Sequence, residues 1–133
     1  MIVIYISNID SESAAKNPVP YDQSQYALTY GGSYLVLGIS FISGDGSRSS
    51  KILYQVLNDF GGISHVPVGL FELQDNRCSA YWSARYDSDG SLLFWPKEFF
   101  VDYFHDDLSE GRGAAIDVFL EVIKILKGEA GIS

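Results

Sequence analysis

The order of apolar and polar positions divides the chain into a mixed set of strands and helices. Residues 2–6, Ile2-Val3-Ile4-Tyr5-Ile6, are apolar throughout and rich in β-branching, which predicts a buried strand. Residues 7–25 are polar and contain Asn17-Pro18 and Val19-Pro20. They read as a long loop with one short helical turn at 11–16. Residues 26–30 and 33–42 flank Gly31-Gly32, and a Gly-Gly pair supplies the positive φ angles of a tight turn, so a β-hairpin is predicted. The second of these strands is the most apolar in the chain and should be central. Ile52, Leu53, Val56, Leu57 and Phe60 then fall at helical spacing. With Ser49 or Ser50 as a cap and Gly61-Gly62 as a stop, they predict a helix through Asp59.

Residues 66–73, 77–86 and 91–95 read as strands, separated by turns at Gln74-Asp75-Asn76 and Asp87-Ser88-Asp89-Gly90. They predict a three-stranded antiparallel meander with Pro67 near a strand start or on an edge. Pro96 suits the first position of a helix, where its missing amide hydrogen is not needed. In that helix Phe100, Phe104 and Leu108 form one stripe, and Asp102 and Asp106 share another. After a linker at 109–113, residues 114–127 give the clearest helix. Ile116, Phe119, Leu120, Ile123 and Leu126 line one face, Val118, Val122 and Ile125 widen it, and Asp117, Glu121 and Lys124 mark a narrow wet side. A helix this apolar packs on the sheet or partly against a second copy, so a homodimer is one arrangement to expect. No repeat or dividing linker interrupts the chain, and residues 1–133 read as a single domain. Strands and helices mix without regular βαβ alternation. The expected fold is therefore α+β, a mainly antiparallel sheet of five to six strands with two to three helices packed on it.

Composition narrows the function classes. The length of 133 residues suffices for one real core. A single cysteine, Cys78, excludes an internal disulfide and a zinc site built from several thiolates. The apolar N-terminal run is too short for a signal peptide and lacks a basic flank. Residues 23–44 carry no formal charge, but the continuously apolar part spans only 34–42, too short to cross a bilayer. A cytoplasmic protein is expected. The formal charge of −8 argues against direct nucleic-acid binding, which needs Lys and Arg to displace counterions. It suits a basic protein partner.

That charge is unevenly placed. Residues 87–121 hold nine acids (Asp87, Asp89, Glu98, Asp102, Asp106, Asp107, Glu110, Asp117, Glu121) against Lys97 and Arg112, a local balance of −7. The acids interleave with Tyr81, Trp82, Tyr86, Trp95, Tyr103 and Phe104. Tyr and Trp give large contact area at low entropy cost, and carboxylates around them steer a cationic partner. Tyr81, Tyr86, Asp87, Asp89, Asp102, Tyr103, Asp106, Asp107 and Glu110 are therefore the expected partner-binding residues.

Other chemistry is less sharply written. The loop Gly44-Asp45-Gly46-Ser47-Arg48-Ser49-Ser50 offers amides and one Arg to a phosphate, but lacks the Lys of a P-loop, and Asp45 opposes an anion. Asp87-Ser88-Asp89-Gly90 opens like a calcium loop, yet Leu92 stands where such a loop needs Gly. It reads as a hairpin turn. Asp106-Asp107 with Glu110 reads as a solvated helix end. Cys78 carries no redox signature. His65 and His105 are the two imidazoles, and an acid/base pair would require them to converge from unrelated segments. No catalytic residue, metal ligand or cofactor is assigned from these patterns.

The layout of residues 81–127 resembles that of the small acidic immunity proteins of bacterial contact-dependent inhibition and related polymorphic toxin systems. The resemblance rests on the aromatic hairpin around Asp87-Ser88-Asp89-Gly90, Pro96 opening a helix with Phe99-Phe100, the acidic linker and the closing amphipathic helix. It implies a non-enzymatic protein that neutralises a cognate, often basic nuclease-type, toxin by occluding its active site. Two further classes follow from the residues: a small nucleotide or phosphate-ester enzyme using His65 and His105, and a phage or plasmid counter-defence protein that mimics nucleic acid.

Overall fold

The computed structural model describes residues 1–6, 26–44 and 50–132. The long polar segment at 7–25 and the centre of the loop at 44–50 lie outside the described residues. The fold is α+β, with seven strands in a mostly antiparallel sheet and two α-helices among the described residues.

The strands are β1 (Ile2–Tyr5), β2 (Ser33–Ile42), β3 (Lys51–Leu57), β4 (Ile63–Pro67), β5 (Phe71–Asp75), β6 (Trp82–Tyr86) and β7 (Leu92–Pro96). The helices are α1 (Phe104–Ser109) and α2 (Gly113–Ala130), and 3-10 turns occupy Val68–Leu70 and Lys97–Phe100. The ten-residue β2 is the hub. Its first residues pair with β1 (Val3 opposite Tyr34), and its later ones pair with β3 (Ile39 opposite Tyr54) and β7 (Ile39 opposite Phe94).

The main path of the sheet runs β4-β3-β2-β1-β5. Its two outer strands, β4 and β5, are joined only by the three-residue turn Val68–Leu70. Three residues span at most about 10 Å, so the sheet is rolled until its edges approach one another. Register shifts in β2 between Val36 and Gly38, and in β1 between Ile2 and Val3, supply part of the bend.

Rolling creates two cores. Val3, Tyr5, Tyr34, Val36, Val56, Val66, Leu70 and Phe71 fill the inside of the roll. Leu35 and Leu37, on the other face of β2, pack with Phe99, Phe104, Phe119, Val122, Ile123 and Leu126 beneath the helices. A strand buried on both faces loses polar alternation, which is why residues 34–37 are apolar without a break.

The same effect corrects the helix expected through Asp59. Residues 51–57 form β3, in which Tyr54 and Val56 face the first core and Leu57 the second. A short apolar run buried on two faces reproduces helical spacing by coincidence. The hairpin expected at 26–42 is also corrected. Residues 26–30 are not a strand; Leu28 is buried, and Gly32 N–H donates to Thr29 C=O at 3.0 Å in a turn that delivers the chain to β2. The three-stranded meander reduces to the β6–β7 hairpin, because β5 pairs with β1 instead. The strand expected at 66–73 is split by its 3-10 turn, with Pro67 closing the edge strand β4. Pro96 ends β7 and precedes a 3-10 turn, while the α-helix begins only at Phe104.

Candidate functional site

The sheet register sets three residues side by side. Gln55 of β3 lies opposite His65 of β4 and opposite Gly38 of β2. Gln55 is fully buried. Gly38 is required by close approach: a Cβ there would lie 2.9 Å from Trp95 Cδ1 and 3.0 Å from the Phe94 carbonyl oxygen. Trp95 itself is held by donating from Nε1 to Ser40 Oγ at 2.9 Å.

His105 of α1 lies over this row, with its Nε2 2.9 Å from Gln55 Oε1. With Gln55 Oε1 as the acceptor, the ring donates from Nε2, the tautomer that leaves Nδ1 without a hydrogen, while Gln55 Nε2 is buried without a hydrogen-bond partner. The ring also stands 5.7 Å from His65, centre to centre, and 5.1 Å from Trp95. Trp95 stacks on Phe100 at 5.0 Å, and the Arg85 guanidinium covers Phe100 at 4.5 Å. A continuous run of flat groups thus crosses this face from β6 to β4.

The two imidazoles, expected to converge only if they formed a pair, do converge. They share the wall of a groove of about 350 Å³ with Asn58, Ile63, Leu108 and Ser109. Burial lowers the pKa of both rings. His105 is pushed down to about 4, first by burial and then by repulsion from His65, with Asp106 opposing. His65 is lowered by burial alone, although part of its surface remains open. No Lys or Arg lines this groove among the described residues.

On the other side of His105 a second groove, of about 260 Å³, is lined by Arg85, Phe100, Val101, Asp102, Tyr103 and Asp106. Here apolar side chains stand in solvent: Val101 is 64% and Tyr103 75% exposed. Tyr103 has φ 66° and ψ 12°, left-handed backbone that a bulky residue rarely adopts, and it lacks a side-chain cap to α1. The carboxylates of Asp102 and Asp106 enter no ion pair among the described residues, whereas Arg112 Nε is shared between Asp107 and Glu110 at 3.2 Å each, which leaves that trio one negative charge.

The remaining expected partner-binding residues lie apart. Tyr81 is half-buried against the helical core, and its hydroxyl donates to Glu98. Tyr86 is 74% exposed, but alternation along β6 turns it to the face opposite Arg85. Asp87 pairs with Arg85 at 2.8 Å, and Asp89 accepts from the Ser91 amide at 2.9 Å within the hairpin turn. Asp102, Tyr103 and Asp106 are brought together, with Asp107 on α1 and Glu110 at its C-terminal cap. The sequence reading passed over Gln55, Gly38 and Val101. An uncharged polar residue inside an apolar run was the available signal for Gln55.

Comparison of the chain with family models, with curated proteins and with solved structures finds no match, so the functional reading stands on these residues. No helix among the described residues is long and apolar enough to cross a membrane.

Proposed function

We propose that this chain is a non-enzymatic binding protein that inhibits a basic partner, in the manner of an immunity protein occluding the active site of a nuclease-type toxin. The observation that carries the reading is the segment at 101–106. It presents two exposed apolar side chains, one on strained backbone, beside two carboxylates without ion-pair partners. Strain of this kind persists where the surroundings hold it and gathers at binding sites. Exposed Tyr supplies contact energy, and the carboxylates supply attraction for Lys and Arg. The paired acids at Asp87, Asp107 and Glu110 extend the negative field without standing at its centre.

The test is binding of the purified chain to a toxin domain encoded beside it, followed as salt rises. Affinity falling with salt, and falling further when Asp102, Asp106 and Asp107 are reversed to Lys, supports the reading. Tight binding indifferent to both contradicts it.

The convergence of His65 and His105 favours a second reading, a small enzyme acting on a phosphate ester. It ranks below the first. Phosphate needs a cationic wall and one protonated imidazole as general acid, and burial here favours two neutral rings. Hydrolysis of a generic phosphodiester, lost in His65→Ala, would reverse this order.

A further inference from the structure

We infer that His65 and His105 form a two-imidazole site for a late first-row divalent cation of the Zn²⁺, Cu²⁺ and Ni²⁺ class, with Gln55 as the group that orients it. This goes beyond the partner-binding reading and does not depend on it. Three features of the geometry support it.

The first is spacing. With metal–nitrogen bonds of about 2.0–2.1 Å, two imidazoles sharing one tetrahedral ion have ring centres roughly 5–6 Å apart. The centres of His65 and His105 are 5.7 Å apart.

The second is the tautomer. A histidine that ligates through one nitrogen commonly donates its other N–H to a fixed acceptor, which sets the ring angle and raises the basicity of the ligating atom. Gln55 Oε1 is such an acceptor, 2.9 Å from His105 Nε2 on a side chain with no exposed surface. The bare Nδ1 is left to bind. Gln55 is itself fixed as the central member of the His65–Gln55–Gly38 row.

The third is access and charge. The groove beside the pair admits water to the remaining coordination positions. Metal binds the neutral form of imidazole, which carries no charge to repel the ion. Imidazole nitrogen selects this class of ion over Mg²⁺ or Ca²⁺, which prefer oxygen. The site is open, with two protein ligands and water, unlike a closed structural zinc site.

The experiment titrates chelator-treated full-length chain with Zn²⁺ by calorimetry and with Cu²⁺ by electron paramagnetic resonance at pH 7.5. One ion per chain with two nitrogen ligands is expected. His65→Gln, on a partly exposed edge-strand position, should abolish saturable binding at least tenfold above the wild-type dissociation constant. Gln55→Met removes the acceptor at similar volume and should weaken binding about 10–100-fold, the loss typical of an orienting partner. Unchanged affinity in His65→Gln, a single nitrogen ligand, or no saturable binding in the wild type would each overturn the assignment. Should Gln55→Met fail to fold, the His65→Gln comparison decides alone.

Discussion

Gln55 Oε1 accepts a hydrogen bond from His105 Nε2 at 2.9 Å, tying a strand in the middle of the sheet to the short helix that follows Tyr103. With the His65 and Trp95 rings against His105 and with Phe104 in the helical core, this contact helps set where the exposed segment at 101–106 stands. The exposed segment and the buried row are therefore mechanically linked.

That link has a pH dependence with a definite sign. The pKa of His105 is lowered from 6.5 to about 4 in the folded chain. As pH falls below about 6.5 the unfolded chain takes up a proton that the folded chain refuses, so stability falls progressively until about pH 4. Above pH 7 this contribution is constant. Urea denaturation of chelator-treated protein at pH 7.5 and 5.5 should show the loss, and nuclear magnetic resonance of the imidazoles should show His105 titrating well below an ordinary histidine. An ordinary midpoint near 6.5 would contradict the burial described.

Gly38 should not tolerate a side chain. Its Cβ would meet Trp95 Cδ1 at 2.9 Å and the backbone oxygen of Phe94 at 3.0 Å, and backbone cannot step aside cheaply. Gly38→Ala is expected to destabilise the fold by about 1–3 kcal/mol, the usual range for overpacking. Near-ultraviolet circular dichroism should report a displaced Trp95.

Tyr103 separates binding from stability. Its φ of 66° is unfavourable for a residue with a Cβ, by roughly 1–2 kcal/mol. Tyr103→Gly should leave the fold as stable or up to about 1 kcal/mol more stable, since the ring is 75% exposed and little packing is lost. The same substitution should weaken partner binding by about 2 kcal/mol, the scale of an interfacial aromatic anchor. Parallel losses of stability and binding would indicate a structural role instead.

Tyr81 is expected to behave as a structural residue. Its hydroxyl donates to Glu98 Oε2, while Glu98 Oε1 is buried without a partner. Tyr81→Phe strips the carboxylate of that donor and should destabilise the chain by about 1–3 kcal/mol. The Glu98 contact also pushes the Tyr81 pKa up to about 12. An absorbance titration should therefore show one late tyrosinate that the substitution removes. Because the folded pKa is the higher one, stability is retained below about pH 10 and lost as pH rises towards 12.

The parts of the fold legible in the sequence are those whose environment is one-sided or strongly punctuated. The helix expected at 114–127 appears as Gly113–Ala130, because its polar residues are confined to one narrow strip. The β6–β7 hairpin follows from Asp87-Ser88-Asp89-Gly90, where Gly90 takes φ 91° and its amide donates to Asp87 C=O at 3.0 Å. β2 has the bounds expected of it, Ser33–Ile42. β3 lacks strand alternation because its second half, around Gln55 and Val56, is covered on both faces while Ile52 is exposed, and the long-range choice of β5 for β1 leaves no local mark. Charge along the sequence identifies carboxylates but not which of them a nearby Arg engages. The row through His65, Gln55 and Gly38 depends on register between strands far apart in the chain.

The location of the proposed partner surface is open to one direct measurement: hydrogen exchange of the chain alone and in the presence of a basic nuclease-type toxin domain that it binds. Slowed exchange centred on residues 101–110 is the expected result. Protection confined to β1 and β5, with 101–110 exchanging as in the free chain, would contradict the account.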